Sequence, residues 1–300
     1  MRTAVFILFV LFIVAGDSLA APLTIEGYKA MADVPEAMAL LLIGILIGMI
    51  GTFIGAGGGF IIVPLLLILY GFTPQQAIGT SMAVVFLNAL SGTFSYMVQK
   101  RIDYEIGIKF SVAAVPGVFI GALISQLFGL VGFSLIFGAL LAVISYSLFS
   151  GKELFVVRLN AIEQPVRRFL SDATGRTYTY SPDMPIGLAV SFFAGVLSGL
   201  FGIGGGIIHV PLMYSVLGVP VHVATATSHF ILAVTSFFGV ITFIGLRSID
   251  IDYAVFLGAG SIFGAYMGAK VSLRTHPLVI KKAISLCLFL LAARLIAAVL

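Results

Sequence analysis

The chain has 300 residues, of which 60% are hydrophobic and 9% charged, with a formal net charge of +4. A soluble globular domain carries about 25% charged residues, so this composition excludes water as the main solvent and points to the lipid bilayer. The charge excess is modest and scattered over loops, which excludes a nucleic-acid surface, and the single cysteine, Cys287, excludes an intramolecular disulfide or a thiolate cluster.

At the amino terminus, residues 1–20 read as a secretory signal peptide: Arg2, an apolar stretch from Ala4 to Ala15, then Ser18-Leu19-Ala20 with small residues where cleavage occurs. Gly16 and Asp17 cut the apolar run short of a comfortable span. Cleavage would leave the mature amino terminus outside.

Apolar runs then recur along nearly the whole chain and predict helical segments at 37–55, 59–70, 75–99, 104–128 and 130–149. A polar stretch follows, Gly151–Met184, with no catalytic pattern. Five further segments are expected at 186–202, 206–217, 222–246, 251–273 and 277–299. A transmembrane barrel does not fit, because the runs are continuously apolar instead of alternating.

Laying Pro211 over Pro64 gives an offset of 147 residues that holds without a gap from Gly48/Gly195 to Ala122/Ala269. It pairs Gly57-Gly58-Gly59 with Gly204-Gly205-Gly206, Thr80-Ser81 with Thr227-Ser228, and Asp103 with Asp250. The expectation is an all-α integral membrane protein of two repeats, 37–149 and 185–300, joined by a cytoplasmic loop at 150–184. An odd number of crossings per half inverts the second copy relative to the first. Lys100, Arg101, Lys152, Arg158, Arg167, Arg168, Arg176, Arg274, Lys281 and Lys282 then all fall inside, as cytoplasmic loop cations should.

The glycine triplets break their helices, since glycine costs about 1 kcal/mol per helical position relative to alanine. Irregular backbone at membrane depth is tolerated where it is buried in protein or lines a cavity. The helix beginning after each triplet aims amide hydrogens and its positive dipole end into the bundle, which suits a small anionic substrate. The same glycines would also allow tight helix crossing. The hydroxyls of Thr80, Ser81, Thr227 and Ser228 could donate to an oxyanion or bond their own helices. Asn88, two turns after Ser81, is either a substrate ligand or interhelical glue. His209 and His229 stand where the first half has Ile62 and Met82, so they break the internal symmetry and are the candidates for proton coupling. His222 reads as interfacial, Asp103 and Asp250 as helix caps, and Lys270 and Arg294 as snorkelling cations. No metalloprotease, nucleophile-elbow or paired-aspartate pattern occurs, so neither an enzyme nor a cofactor or metal site is expected.

Two Gly-x-Gly-Gly-Gly-x-x-x-x-Pro copies, each followed by a Thr-Ser pair and an aspartate after the third segment, resemble the TauE/SafE sulfite exporter family, also known as the toluene-sulfonate uptake permease group. The resemblance covers about residues 37–299. It implies a multi-pass transporter of the inner (plasma) membrane that moves a sulfur oxyanion, a sulfonate or a related organosulfur anion. A passive anion channel built on the same helix ends is the alternative.

Overall fold

Each apolar run, bounded by glycine, proline or a capping aspartate, forms a helix. A computed structural model describes residues 34–150, 168–272 and 277–297; the signal segment 1–20, Lys152, Arg158, Arg167 and Arg274 lie outside them. The helices are α1 (Val34–Ile54), α2 (Gly59–Tyr70), α3 (Pro74–Val98), α4 (Tyr104–Ser125), α5 (Leu130–Ser150), α6 (Met184–Phe201), α7 (Gly206–Pro211), α8 (Val221–Gly245), α9 (Ile251–Val271) and α10 (Pro277–Ala297). Among the described residues, α1, α3, α4, α6, α8 and α9 are long and apolar enough to cross a membrane. Large apolar side chains such as Phe94, Leu123, Phe193 and Phe263 point outward, as a lipid-facing surface requires.

Helix starts follow local chemistry. Thr73 and Gln76 form a capping box ahead of Pro74. Asp103 accepts the Ile106 amide at 3.0 Å and Asp250 the Tyr253 amide at 3.1 Å, so both aspartates cap the helices that follow them.

Two local features differ from expectation. The segment predicted as one helix over 206–217 divides into α7 and a π-helical turn, Leu212–Val216, closed by the Leu217 amide on the Leu212 carbonyl at 3.2 Å. Proline alone does not explain this, because Pro64 at the equivalent place leaves α2 continuous to Tyr70. The polar stretch, expected as a loop, carries an antiparallel hairpin of β1 (Arg168–Ser171) and β2 (Thr177–Tyr180), with Arg168 opposite Tyr180. Its turn needs Gly175, at φ +83°.

Helix packing obeys the sequence repeat. α1 packs on α9 and α6 on α4, a pair of contacts that the 147-residue offset exchanges; α3–α9 and α8–α4 exchange likewise, while α3–α8 and α5–α10 pair equivalent helices. In α1–α9 the contact is stitched by glycine: Gly260 and Gly264 lie against the carbonyls of Leu41 and Ile45, and Gly44 against that of Leu257. The α6–α4 contact repeats it with Gly195 and Gly199 on Ala114 and Val118. Side chains this small let helices approach closely in lipid, where no hydrophobic drive favours their association.

Candidate functional site

The site grows from the two helix breaks. After α1 the chain curls around the Gly51 carbonyl, which accepts the amides of Gly55 (3.0 Å), Ala56 (2.8 Å) and Gly57 (3.2 Å). This curl needs positive φ at Gly55, Gly57 and Gly58 (+86°, +74° and +85°), and Gly202, Gly204 and Gly205 repeat it at +68°, +71° and +77°. L side chains rarely adopt that region, which is why these positions are glycine. α2 and α7 then start without a side-chain cap. The two breaks lie back to back: a Cβ on Gly59 would strike the Gly202 carbonyl, and one on Gly206 the Gly55 carbonyl.

The serines of the Thr-Ser pairs bind these breaks across the halves, and the threonines bind the residues that precede α9 and α4. Ser81 donates to the Gly202 carbonyl at 2.9 Å, and Ser228 to the Gly55 carbonyl at 2.9 Å. Thr80 accepts the Asp250 amide at 3.0 Å, and Thr227 the Asp103 amide at 3.0 Å. The start of each of α3 and α8 therefore lies beside the residues that follow the other, so the two helices run antiparallel. All four hydroxyl side chains are buried. Between Gly57 and Gly204 sit the side chains of Val85 and Leu232, repeat-equivalent residues that fill the centre with apolar atoms. In this conformation the breaks are closed on each other.

Asn88 lies off this centre. Its amide nitrogen donates to the Gly48 carbonyl at 3.1 Å and the Ser261 carbonyl at 3.4 Å, and its oxygen accepts the Thr52 hydroxyl at 3.1 Å. It ties α1, α3 and α9 together, whereas its copy Thr235 bonds only its own helix, at Ile231 (2.9 Å). His209 and His229 also separate. Both ring nitrogens of His209 have partners, Nδ1 the Gly205 carbonyl at 3.0 Å and Nε2 the Ser191 hydroxyl at 3.2 Å. The Nδ1 of His229 meets the Thr225 carbonyl at 3.3 Å, but its Nε2 is buried with no hydrogen-bond partner.

The hairpin is the part of the site that sequence reasoning missed. Arg101 pairs with Asp172 at 3.2 Å, Arg168 with Asp103 at 3.3 Å, and the Tyr180 hydroxyl donates to Asp103 at 2.8 Å. Asp103 is the residue whose amide holds Thr227, so the hairpin reaches the core in two steps. Burial pushes the Asp172 carboxyl up, but hydrogen bonds from Thr174, Arg176 and Arg101 outweigh it and hold the carboxyl well below the usual carboxylate range. Tyr180 is pushed far above the usual phenol range by burial and by Asp103. The signal is present in the alternation Thr177-Tyr178-Thr179-Tyr180, preceded by Asp172 and Gly175.

A bundle of apolar helices, glycine-stitched, with two broken helices at its core defines a polytopic membrane protein. Residues 40–295 match the family "Sulfite exporter TauE/SafE", and the chain belongs to that family. It is 36% identical over 264 residues to the probable membrane transporter protein YunE of Bacillus subtilis, covering 86% of this chain and 96% of YunE. It is 31% identical over 251 residues to the probable membrane transporter protein YdhB of the same organism (83% and 96% of the two chains). To the probable membrane transporter protein MJ0441 of Methanocaldococcus jannaschii it is 26% identical over 254 residues (79% and 87%). No solved structure matches the chain. It is thus a multi-pass transport protein of the plasma membrane.

Proposed function

We propose that this protein is a secondary transporter that carries a small anion, such as sulfite, a sulfonate or a related organosulfur compound, by alternating access between two inverted repeats. The substrate site in this reading comprises Gly57–Gly59 and Gly204–Gly206 with Thr80, Ser81, Thr227, Ser228 and Asn88. The observation that carries it is the reciprocal closure of the two breaks, Ser81 on Gly202 and Ser228 on Gly55, each by a side chain of the other half.

Two hydrogen bonds, Ser81 to Gly202 and Ser228 to Gly55, hold the breaks shut with the Val85 and Leu232 side chains between them, and Thr80 and Thr227 tie their helices to Asp250 and Asp103. Parting the halves would free the carbonyls and hydroxyls together and expose the first amides of α2 and α7, which favour an anion. Rocking two repeats about a midplane site is the general mode of transporters built this way. A passive channel would need a lasting open path, and the apolar filling between Gly57 and Gly204 argues against one.

Purified protein in sealed liposomes, given radiolabelled sulfite with and without an imposed pH gradient or voltage, tests the reading. Saturable, gradient-sensitive uptake is expected, lost in Gly58→Leu and Gly205→Leu that remain folded. Normal transport by both variants would remove the helix-break site, and failure to move sulfite, thiosulfate or any sulfonate would remove the substrate class.

A further inference from the structure

The 147-residue offset also relates two side-chain seats, and one of them has changed chemistry. Met82 of α3 rests on Gly239 of α8; in the exchanged position His229 of α8 rests on Gly92 of α3. Beside His229 lie Thr52 and Tyr96, which connect to Asn88 and Ser261; the offset gives Gly199, Phe243, Thr235 and Ala114 at the equivalent positions of the other half. The first set is bonded into one buried cluster. Tyr96 donates to the Thr52 carbonyl at 3.0 Å and packs edge-on against the His229 ring at 5.3 Å, while Thr52 bonds Asn88, and Asn88 bonds the Ser261 carbonyl. Thr235, the polar member of the equivalent set, bonds only its own helix, so the interhelical polar cluster is built on one side of the repeat.

His229 is the unfinished member. With Nδ1 donating to the Thr225 carbonyl, Nε2 is left as a bare acceptor, buried and unpartnered, beside the last turn of α1. That helix end presents carbonyls and the negative end of its dipole, which favour a cation. Facing the ring are Thr225 on its own helix, Thr52 on α1, and Gly92 and Tyr96 on α3, of which Tyr96 alone is titratable. Arg101 at the end of α3 is engaged with Asp172, and Lys270 of α9 lies over the Tyr266 ring at 4.2 Å. Away from the hairpin end, His209 and His229 are the buried side chains among the described residues that can become positive. An anion entering the core needs a counter-charge, because a lone buried charge is costly.

We infer that His229 is the proton-carrying group of the transport cycle, taking a proton on Nε2 and pairing it with the transported anion beside the α1 break. This rests on the transport reading above and assigns its coupling to one residue. Proton and anion occupy the core as a neutral pair, so neither moves favourably without the other. His209, its nitrogens committed to Gly205 and Ser191, is a structural support of the second break.

The decisive variant is His229→Met, which installs the side chain the equivalent seat already holds over Gly239, so the fold should tolerate it. In liposomes the wild type is expected to show sulfite uptake driven by an imposed pH gradient, with proton movement reported by an internal pH dye. His229→Met is expected to lose both the stimulation and the sulfite-linked proton movement. A folded His229→Met that keeps both overturns the inference, as does their loss in His209→Ile but not in His229→Met. Nitrogen NMR of histidine-labelled protein gives a second reading: on adding sulfite at about pH 6, the imidazole signal that is missing from His229→Met should move to the protonated position in the wild type. If no sulfur anion is moved, the transport reading fails and the inference with it; sulfite moved with no linked proton, or no such shift on adding sulfite, overturns the inference alone.

Discussion

Ser81 donates its hydroxyl to the carbonyl of Gly202 at 2.9 Å, so a side chain of the first half satisfies the broken backbone of the second. Removing the hydroxyl leaves a buried carbonyl without its partner, at a cost of about 1–3 kcal/mol. Ser81→Ala and Ser228→Ala should each lower the thermal midpoint of the detergent-solubilised protein, by similar amounts. Wholly unequal shifts would mean that the two bonds are not equivalent.

Backbone contact makes the glycines of the breaks, like those that stitch α1 to α9 and α6 to α4, far less replaceable than glycines in open surroundings. Gly59→Ala and Gly206→Ala each push a methyl into a facing carbonyl, whereas Gly245→Ala at the end of α8 meets nothing within 4 Å. The first two should yield little folded protein or protein that does not transport. Gly245→Ala should be neutral or gain up to about 1 kcal/mol from helix propensity. Size-exclusion profiles and transport assays of the three variants separate these outcomes.

Asn88 and Thr235 are repeat-equivalent but hold different amounts of structure. Asn88→Ala frees the Gly48 and Ser261 carbonyls and the Thr52 hydroxyl, so a loss of about 2 kcal/mol or more is expected. Thr235→Ala removes a bond within one helix and should cost about 0.6 kcal/mol or less. Thermal unfolding of both variants in the same detergent reads the contrast.

The hairpin is held by a buried charge pair. Asp172→Asn leaves Arg101 without its carboxylate, a cost of order 3–5 kcal/mol, and should release β1–β2 to trypsin at Arg168 and Arg176. Acid should act in the same sense: the folded Asp172 carboxyl is depressed, so its stabilising contribution is complete above the ordinary value of about 4. That contribution is lost as pH falls through the folded value. Cleavage rates equal to wild type in Asp172→Asn would show that the hairpin is anchored elsewhere.

Helices and their ends are legible in the sequence because they rest on local chemistry. Apolar runs, Asp103 and Asp250 before helix starts, and Thr73 before Pro74 each act within a few residues. The registered glycine triplets mark the breaks, because three successive glycines hold a helix poorly and two of each three adopt positive φ. The π turn after Pro211 is not legible, since the same proline pattern gives a regular helix at Pro64. The hairpin escapes notice because a short alternation of threonine and tyrosine inside a charged stretch reads as ordinary loop. Thr52 and Tyr96 escape it too, although the repeat offset marks them: they oppose Gly199 and Phe243.

By itself the sequence determined the solvent, the helices, the duplication and the places where helices must break, because composition, periodicity and glycine's conformational freedom act locally. Only the tertiary structure decided which groups meet. Ser81 finds its acceptor 121 residues away and Ser228 finds one 173 residues away. The two histidines, alike as symmetry-breaking residues in the sequence, part company in the fold. Ser191 comes within 3.2 Å of the Nε2 of one, while Gly92 leaves the Nε2 of the other without a partner. No local pattern encodes such partners, since they are chosen by how the helices of one half pack against those of the other.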